Sequence, residues 1–456
     1  MTVLVMTALA SPLIAADSVH LLDSAPAPVD NPLKGLVPYS GDVQRSFPHS
    51  LEFNTLPYSA VVEGYDDFDW HPLETLLDDI ASRGHQAILR IYLEYPGRAG
   101  IVPEFLIKDG LKIHAYLNTN TEPFPPAQVE TPDYEDQNLR RSLKAFIAAF
   151  GRKYDGDPRL GFLTAGLLGT WGEWHTYPRS ELFASKAVQI EVMEAYEAAF
   201  KVTPVLLRYP AGDDTFQKAK NANRPFGYHD DSFAWATLDT GKQGDEWFFM
   251  TALVAAGPDA EAKWKSEPIG GEIRPEAWGK VFDERPADPA IQDIHTCVET
   301  THASWLLDSG MFGKQPDGDR VRRAEALVRG MGYDFHCPKV TIGAVATGTV
   351  SVRLEIVNRG VAPFYSDWKG EWGLLSGGKV VHAVESSGTL TGLLPGDEPR
   401  EWTGSLEVYG VHPGTYTLAV RVPNPLPQGK PLRFANSTQD VDAPGWLSLG
   451  TVQIPD

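Results

Sequence analysis

Two glutamates carry the chemistry this sequence offers most directly. Glu173 lies in Gly169-Thr170-Trp171-Gly172-Glu173-Trp174-His175, at the end of an uncharged apolar run that begins at Leu160. Glu272 closes Gly270-Gly271-Glu272, at the end of a second short run. Two carboxyl groups facing one glycosidic bond can divide the work of breaking it. One protonates the departing oxygen, and the other attacks the anomeric carbon or activates a water. A gap of about 5–5.5 Å suits direct attack, whereas a wider one admits the water. Trp171 and Trp174 beside Glu173 would desolvate it and raise its pKa, as an acid requires. The competing reading for each glutamate is a structural carboxylate that binds loop backbone.

For Glu173 and Glu272 to meet, the chain must bring the ends of two distant strands together. Strand-like segments fall at 31–39, 56–63, 85–92, 160–164, 204–208, 225–230, 267–272 and 301–306. Between most of them lie amphipathic stretches at 71–83, 135–154, 181–200, 245–265 and 288–299, and a last one follows at 319–331. Alternation of this kind predicts an α/β fold, a (β/α)8 TIM barrel, over 17–332. Residues 96–133 read as a long Pro-rich loop.

In such a barrel the active site sits at the C-terminal ends of the strands. The residues expected there are Arg90, Tyr92 and Glu94 after the third strand, and Trp171, Glu173, Trp174 and His175 after the fourth. Arg208 and Tyr209 follow the fifth, and His229, Asp230 and Asp231 the sixth. Glu272 and Arg274 follow the seventh, and His302 and Trp305 belong to the eighth. Catalysis falls to Glu173 and Glu272. Substrate binding falls to Arg90, Tyr92, Glu94, Trp171, Trp174, His175, Arg208, His229, Asp230, His302 and Trp305.

Arg90 and Arg208 interrupt apolar strands, so each is expected to point into the site. There each would pair with a carboxylate, keep a nucleophile ionised, or bind an acidic sugar. His229, Asp230, Asp231 and His302 offer metal-ligand atoms, but at no tight spacing, and the expectation is no metal and no cofactor. A G-x-S-x-G nucleophile motif, a P-loop and a dinucleotide fingerprint are all missing from the sequence.

From about Tyr333 the helical periodicity stops. Strands are expected at 339–347, 350–358, 371–384, 401–409, 414–422 and 446–454, with turns at Gly377-Gly378 and His412-Pro413-Gly414. That pattern predicts an all-β sandwich over 333–456. Asn436-Ser437-Thr438 fits a glycosylation acceptor.

At 456 residues, two domains are expected. A net charge of -20 excludes nucleic acid and anionic membranes as partners. The 12 tryptophans suit a sugar-binding cleft. Cys297 and Cys337 are the sequence's two cysteines, and a disulfide between them is expected over two core thiols in an exported protein. Residues 3–16 resemble the apolar part and cleavage site of a signal peptide but lack the basic start; either the start is misassigned and a secreted or periplasmic protein is expected, or the run is not a signal. No later segment has the length and apolarity of a membrane span.

Three stretches carry a family resemblance: Asn31-Pro32-Leu33-Lys34-Gly35, Gly169-Thr170-Trp171-Gly172-Glu173-Trp174-His175, and Gly270-Gly271-Glu272. Together they resemble a secreted bacterial family of unknown function that joins a glycoside-hydrolase-like barrel to a sandwich. More distantly the chain is similar to glycoside hydrolase clan A. That clan places its acid/base Glu after strand four and its nucleophile Glu after strand seven, the places of Glu173 and Glu272. The resemblance implies a secreted, retaining glycoside hydrolase acting on an oligo- or polysaccharide. One departure is Gly172, where the clan usually has Asn. A non-catalytic carbohydrate-binding barrel, or a polysaccharide lyase or metal-dependent enzyme using His229, Asp230 and His302, are the alternatives.

Overall fold

The computed structural model describes residues 17–41, 47–119, 125–313 and 317–455. The leader-like segment 1–16 lies outside them. Eight parallel strands form one sheet in the order Gly35–Val37, Ala303–Leu307, Ile269–Ile273, Gly227–Phe233, Val205–Leu207, Leu160–Thr164, Gln86–Tyr92, Leu51–Pro57. A parallel bridge between Tyr39 and Phe53 joins the two ends, with Ser40 N donating to Phe53 O at 3.0 Å and Phe53 N to Pro38 O at 2.9 Å. The sheet therefore closes into a (β/α)8 barrel. Among the described residues, helices follow the second, third, fourth, sixth, seventh and eighth strands.

Side-chain alternation along these strands sets what the barrel can present. Ile88, Arg90 and Tyr92 alternate inward, while Leu89 and Ile91 face the helices and pack in their core. The same parity puts Phe162, Leu206, Trp305 and Leu307 inside with Ile88. The helices obey their own period. In Gln137–Tyr154, Leu139, Leu143, Phe146, Ile147 and Phe150 form the buried stripe. Asp136 caps that helix, accepting from Asn138 N at 2.9 Å and Leu139 N at 3.0 Å.

The C-terminal part is a sandwich of two four-stranded antiparallel sheets. One contains Phe335–Ile342, Thr349–Asn358 and Gly396–Glu407; the other contains Lys379–Thr389, Lys369–Ser376, Gly414–Arg421 and Leu447–Ile454. Trp372 and Trp402 pack between them with ring centroids 5.5 Å apart. The hydrophobic core of the sandwich is continuous with the barrel interior, running from Ile88, Phe162 and Trp305 through Leu33, Tyr333 and Phe335 to Leu354 and Trp372. The Asn31–Gly35 motif lies at this junction. Asn31 bonds the Arg433 backbone through both its amide atoms, and Lys34 Nζ donates to Tyr333 O at 2.6 Å and Arg329 O at 3.0 Å.

Several expectations are corrected. The second barrel strand is Leu51–Pro57 rather than 56–63, because the chain turns into a short 3-10 helix at Tyr58–Ala60. Residues 96–133 are not a structureless loop. They contain the helix Glu104–Lys108 and an antiparallel hairpin of Ile113–Asn118 with Ala127–Pro132. Ser18–Leu21, assigned above to the barrel, pairs with Phe335–Ile342 as a sandwich edge strand. The turn expected at Gly377-Gly378 is present, both glycines at positive φ, and it divides the segment 371–384 between two antiparallel strands. Cys297 and Cys337 are free and buried, the first in the barrel's helical layer and the second in the sandwich core. Asn436 is buried, its amide donating to Cys337 O at 2.8 Å, and so holds strands together. Among the described residues no helix is long and apolar enough to cross a membrane.

Candidate functional site

The parity of the strands decides which polar residues meet at the C-terminal mouth. Arg90 sits at the centre, its side chain 4% exposed. It donates from Nε to Thr164 Oγ1 at 3.1 Å, from Nη1 to Glu173 Oε1 at 3.0 Å, and from Nη2 to Glu272 Oε1. One guanidinium thus holds both glutamates, which keeps their bound oxygens within about 8 Å of each other.

Glu272 also meets His229, whose Nε2 lies 2.9 Å from the same Oε1. Facing the carboxylate, that nitrogen is set to donate as Nε2–H, while Arg90 Nη2, itself a donor, lies 3.2 Å from it. The His229 ring rests on Trp305, centroids 5.8 Å apart. Gly270 makes room for this floor, since a Cβ there would run into the Trp305 ring.

Glu173 is placed by a tight turn. Gly172 N donates to Gly169 O at 2.9 Å, Glu173 N to Thr170 O at 2.9 Å, and Thr170 N to His175 O at 2.7 Å. Trp171 and Trp174 take left-handed backbone angles, φ 55° and 58°. Gly172 is also left-handed, at φ 74°, and its Cβ position lies 3.1 Å from Gly166 Cα and 3.3 Å from Arg90 Cδ. An asparagine could not sit there without moving Arg90, which accounts for the departure at this position. The turn is fastened from outside by Tyr134, whose hydroxyl accepts from Gly169 N at 2.7 Å and donates to Glu94 at 3.2 Å.

The two carboxyls have opposite protonation tendencies. Burial pushes Glu173 well above the carboxylate range, and the charge of Asp231 adds to this against the opposing pull of Arg90. Burial also acts to raise Glu272, but Arg90 and His229 outweigh it and hold the group below its ordinary value. Each side chain is 13% exposed. Burial thus favours the protonated form of Glu173, while Arg90 and His229 favour the ionised form of Glu272.

No family model matches the chain, and no curated protein does. Among solved structures, endo-glycoceramidase II from Rhodococcus sp. in a cellobiose-like imidazole complex superposes with a TM-score of 0.41 at 10% identity, covering 83% of this chain and 97% of that one. Its ganglioside GM3 complex gives a TM-score of 0.40 at 10% identity, covering 83% and 97%. An endoglucanase from Pseudomonas stutzeri with cellobiose gives 0.35 at 12% identity, covering 68% and 95%.

Of the residues expected at the site, Arg90, Glu173, His175, Arg208, His229 and Glu272 converge on the mouth. His175 Nε2 lies 3.7 Å from Glu173 Oε2, and burial brings His175 down to about 4. Arg208 pairs with Asp231. Trp171 stands on the rim with edge contacts to Tyr95 and His175 at 6.4 Å and 6.2 Å. Tyr92 is buried against Tyr95 and accepts from Arg98 at 2.8 Å.

Five expected binding residues lie elsewhere. Trp174 is packed into the core behind the turn, its indole donating to Ala165 O. Trp305 is wholly buried under His229. Glu94 is enclosed by Thr131 and Tyr134, and burial lifts it to about 8 despite their hydroxyls. Asp230 has the opposite parity to His229 and faces outward, accepting from Thr237 Oγ1 at 2.7 Å and Ser232 N at 3.0 Å. His302 ends the helix Ile294–Thr301 at φ 57°, before the eighth strand begins, and so lies at the far end of the barrel. There its ring stacks on Trp264 at 3.6 Å and its Nδ1 meets Val361 O at 2.6 Å. The group His229, Asp230 and His302 is therefore not assembled.

A different trio, Glu173, His175 and Asp231, brings its ligand atoms within 4.8 Å of one another. Within that trio Arg208 pairs with Asp231, and burial together with the Asp231 charge raises Glu173 above the usual carboxylate range. Sequence reasoning missed Tyr39, Tyr95, Thr164 and Lys218. Thr164 and Tyr39 follow from strand parity; Lys218 lies in an irregular loop and left no signal.

Proposed function

We propose that the protein is a glycoside hydrolase that cleaves an oligo- or polysaccharide by a retaining mechanism. The observation that carries this reading is one arginine shared by two carboxyls whose pKa values are pushed in opposite directions. Glu173 is the acid. Arg90 holds its Oε1, which leaves Oε2 to carry the proton toward the leaving oxygen. Glu272 is the nucleophile, kept ionised by Arg90 and His229. Departure of the aglycone leaves Glu173 charged next to Arg90, ready to take a proton from the water that releases the sugar. The guanidinium caps the separation at about 8 Å, a bound that contains the roughly 5–5.5 Å of direct attack. Tyr39, Tyr95 and Trp171 supply flat surfaces for sugar rings near the two carboxyls.

The test is release of reducing ends from a polysaccharide panel by wild type, Glu173→Gln and Glu272→Gln. Each variant is expected to lose at least about 100-fold in turnover. Wild-type rates in both would end the assignment and leave a binding protein on a barrel scaffold.

A further inference from the structure

Beside Glu173 lies a cationic corner that the proposed hydrolysis does not use. Arg208 leaves the fifth strand and is 3% exposed. Its Nη2 pairs with Asp231, whereas its Nε and Nη1 are buried with no hydrogen-bond partner. An unmade buried donor costs about 1–3 kcal/mol, and more when charged. A site that keeps two of them is built to receive an acceptor.

Lys218 shares the same corner. The Arg208 guanidinium lies 3.9 Å from the Tyr209 ring centroid, and Lys218 Nζ lies 4.4 Å from that centroid. Lys218 reaches the carbonyl of Trp174, the residue after Glu173. Burial, with Arg208 nearby, brings Lys218 down to about 7. Asp231 faces Arg208 directly with the Asp230 charge behind it, while burial brings His175 down and pushes Glu173 up. Arg208, with two open donors, and the half-buried Lys218 beside it favour an anionic ligand at this corner.

We propose that Arg208 and Lys218 bind an anionic group on the sugar next to the scissile bond, a uronic acid carboxylate or a sulfate ester. This rests on the glycosidase reading of the cleft and names its substrate class. An oxyanion at this corner satisfies the open Arg208 donors, meets the Lys218 ammonium, and stays clear of the Arg90 bridge.

The test measures binding of D-glucuronate, D-galacturonate and D-glucose 6-sulfate against glucose and galactose at matched ionic strength. Calorimetry on wild type, Lys218→Met and Arg208→Gln gives the readout. At least one acidic sugar is expected to bind 10-fold or more tighter than its neutral counterpart, and each variant is expected to erase that preference. The uronate and sulfate arms identify the source of the charge. Lys218→Met lies on a loop and keeps the test valid should Arg208→Gln fail to fold. Equal binding of acidic and neutral sugars, or an acidic preference that survives in Lys218→Met, overturns the inference. Loss of sugar release in Glu173→Gln and Glu272→Gln would then still stand for hydrolysis. Conversely, an acidic preference that depends on Lys218, with turnover intact in both glutamate variants, keeps the anion site and removes the hydrolase.

Discussion

Replacing Arg90 by glutamine should move the whole pH–rate profile to higher pH and lower its maximum. Among the described residues, Arg90 is the one group that touches both Glu173 and Glu272 through a full positive charge. At an effective dielectric of about 20, a unit charge about 4 Å away is worth about 4 kcal/mol. His229, at 2.9 Å from Glu272, remains in the variant and makes up part of the loss. A residual of only about 1.4 kcal/mol still displaces a titration by one pH unit. The directions follow from the roles. Glu272 must be ionised, so the rate falls as pH drops through its pKa, and raising that pKa carries the acid limb upward. Glu173 must be protonated, and Arg90 also holds its pKa down, so the alkaline limb moves up as well. The assay is kcat/KM across both limbs, on the first glycoside the panel identifies. Thermal unfolding of the same samples serves as control, because breaking a buried pair can cost about 3–5 kcal/mol. A folded Arg90→Gln protein whose acid limb has not moved refutes the assignment of Glu272 as the ionised partner.

Three further outcomes are expected. Glu173 has its folded pKa raised, so the wild type loses stability as pH rises from the unfolded carboxylate value near 4.3 up through the folded one. Glu173→Gln should therefore melt higher than wild type at neutral pH and equally near pH 4; a lower melting temperature at neutral pH would contradict the buried-acid picture. Gly172→Ala combines a left-handed backbone with contacts near 3.1–3.3 Å, and should cost about 1–3 kcal/mol in unfolding experiments together with much of the activity; unchanged stability would show that the turn relaxes freely. Cys297 and Cys337 are buried thiols pushed up by burial, so a thiol reagent should leave the native protein untouched and count two thiols after denaturation without reductant; finding none would restore the disulfide.

What was legible in the sequence was periodicity, and what was hidden was its phase. The runs at Gln86–Tyr92 and Leu160–Thr164 are strands because nothing else buries seven or five consecutive residues between helices. Glu272 sits within its strand Ile269–Ile273, whereas Glu173 lies nine residues beyond Leu160–Thr164 and is carried back to the mouth by the Gly169–His175 turn. Asp230 and Asp231 are adjacent, and a count that errs by one sends the wrong aspartate inward. His302 went to the wrong end because the eighth strand starts at Ala303, after the histidine and not before it. The disulfide failed for a different reason: each cysteine is an apolar packing residue of its own core, a role that composition cannot tell from a bridge. The hairpin of Ile113–Asn118 and Ala127–Pro132 was hidden by the prolines around it, although it delivers Thr131 to Glu94 and precedes Tyr134.

The continuity between the sandwich core and the barrel interior has a consequence for modularity. Tyr333 and Phe335 at the start of the sandwich belong to the same apolar body as Trp305, and Trp305 supports His229. A chain cut after 332 would expose the underside of its own active-site floor to water. Melting is accordingly expected as a single cooperative transition. With a core shared in this way, trading the sandwich for another would require rebuilding the floor beneath His229.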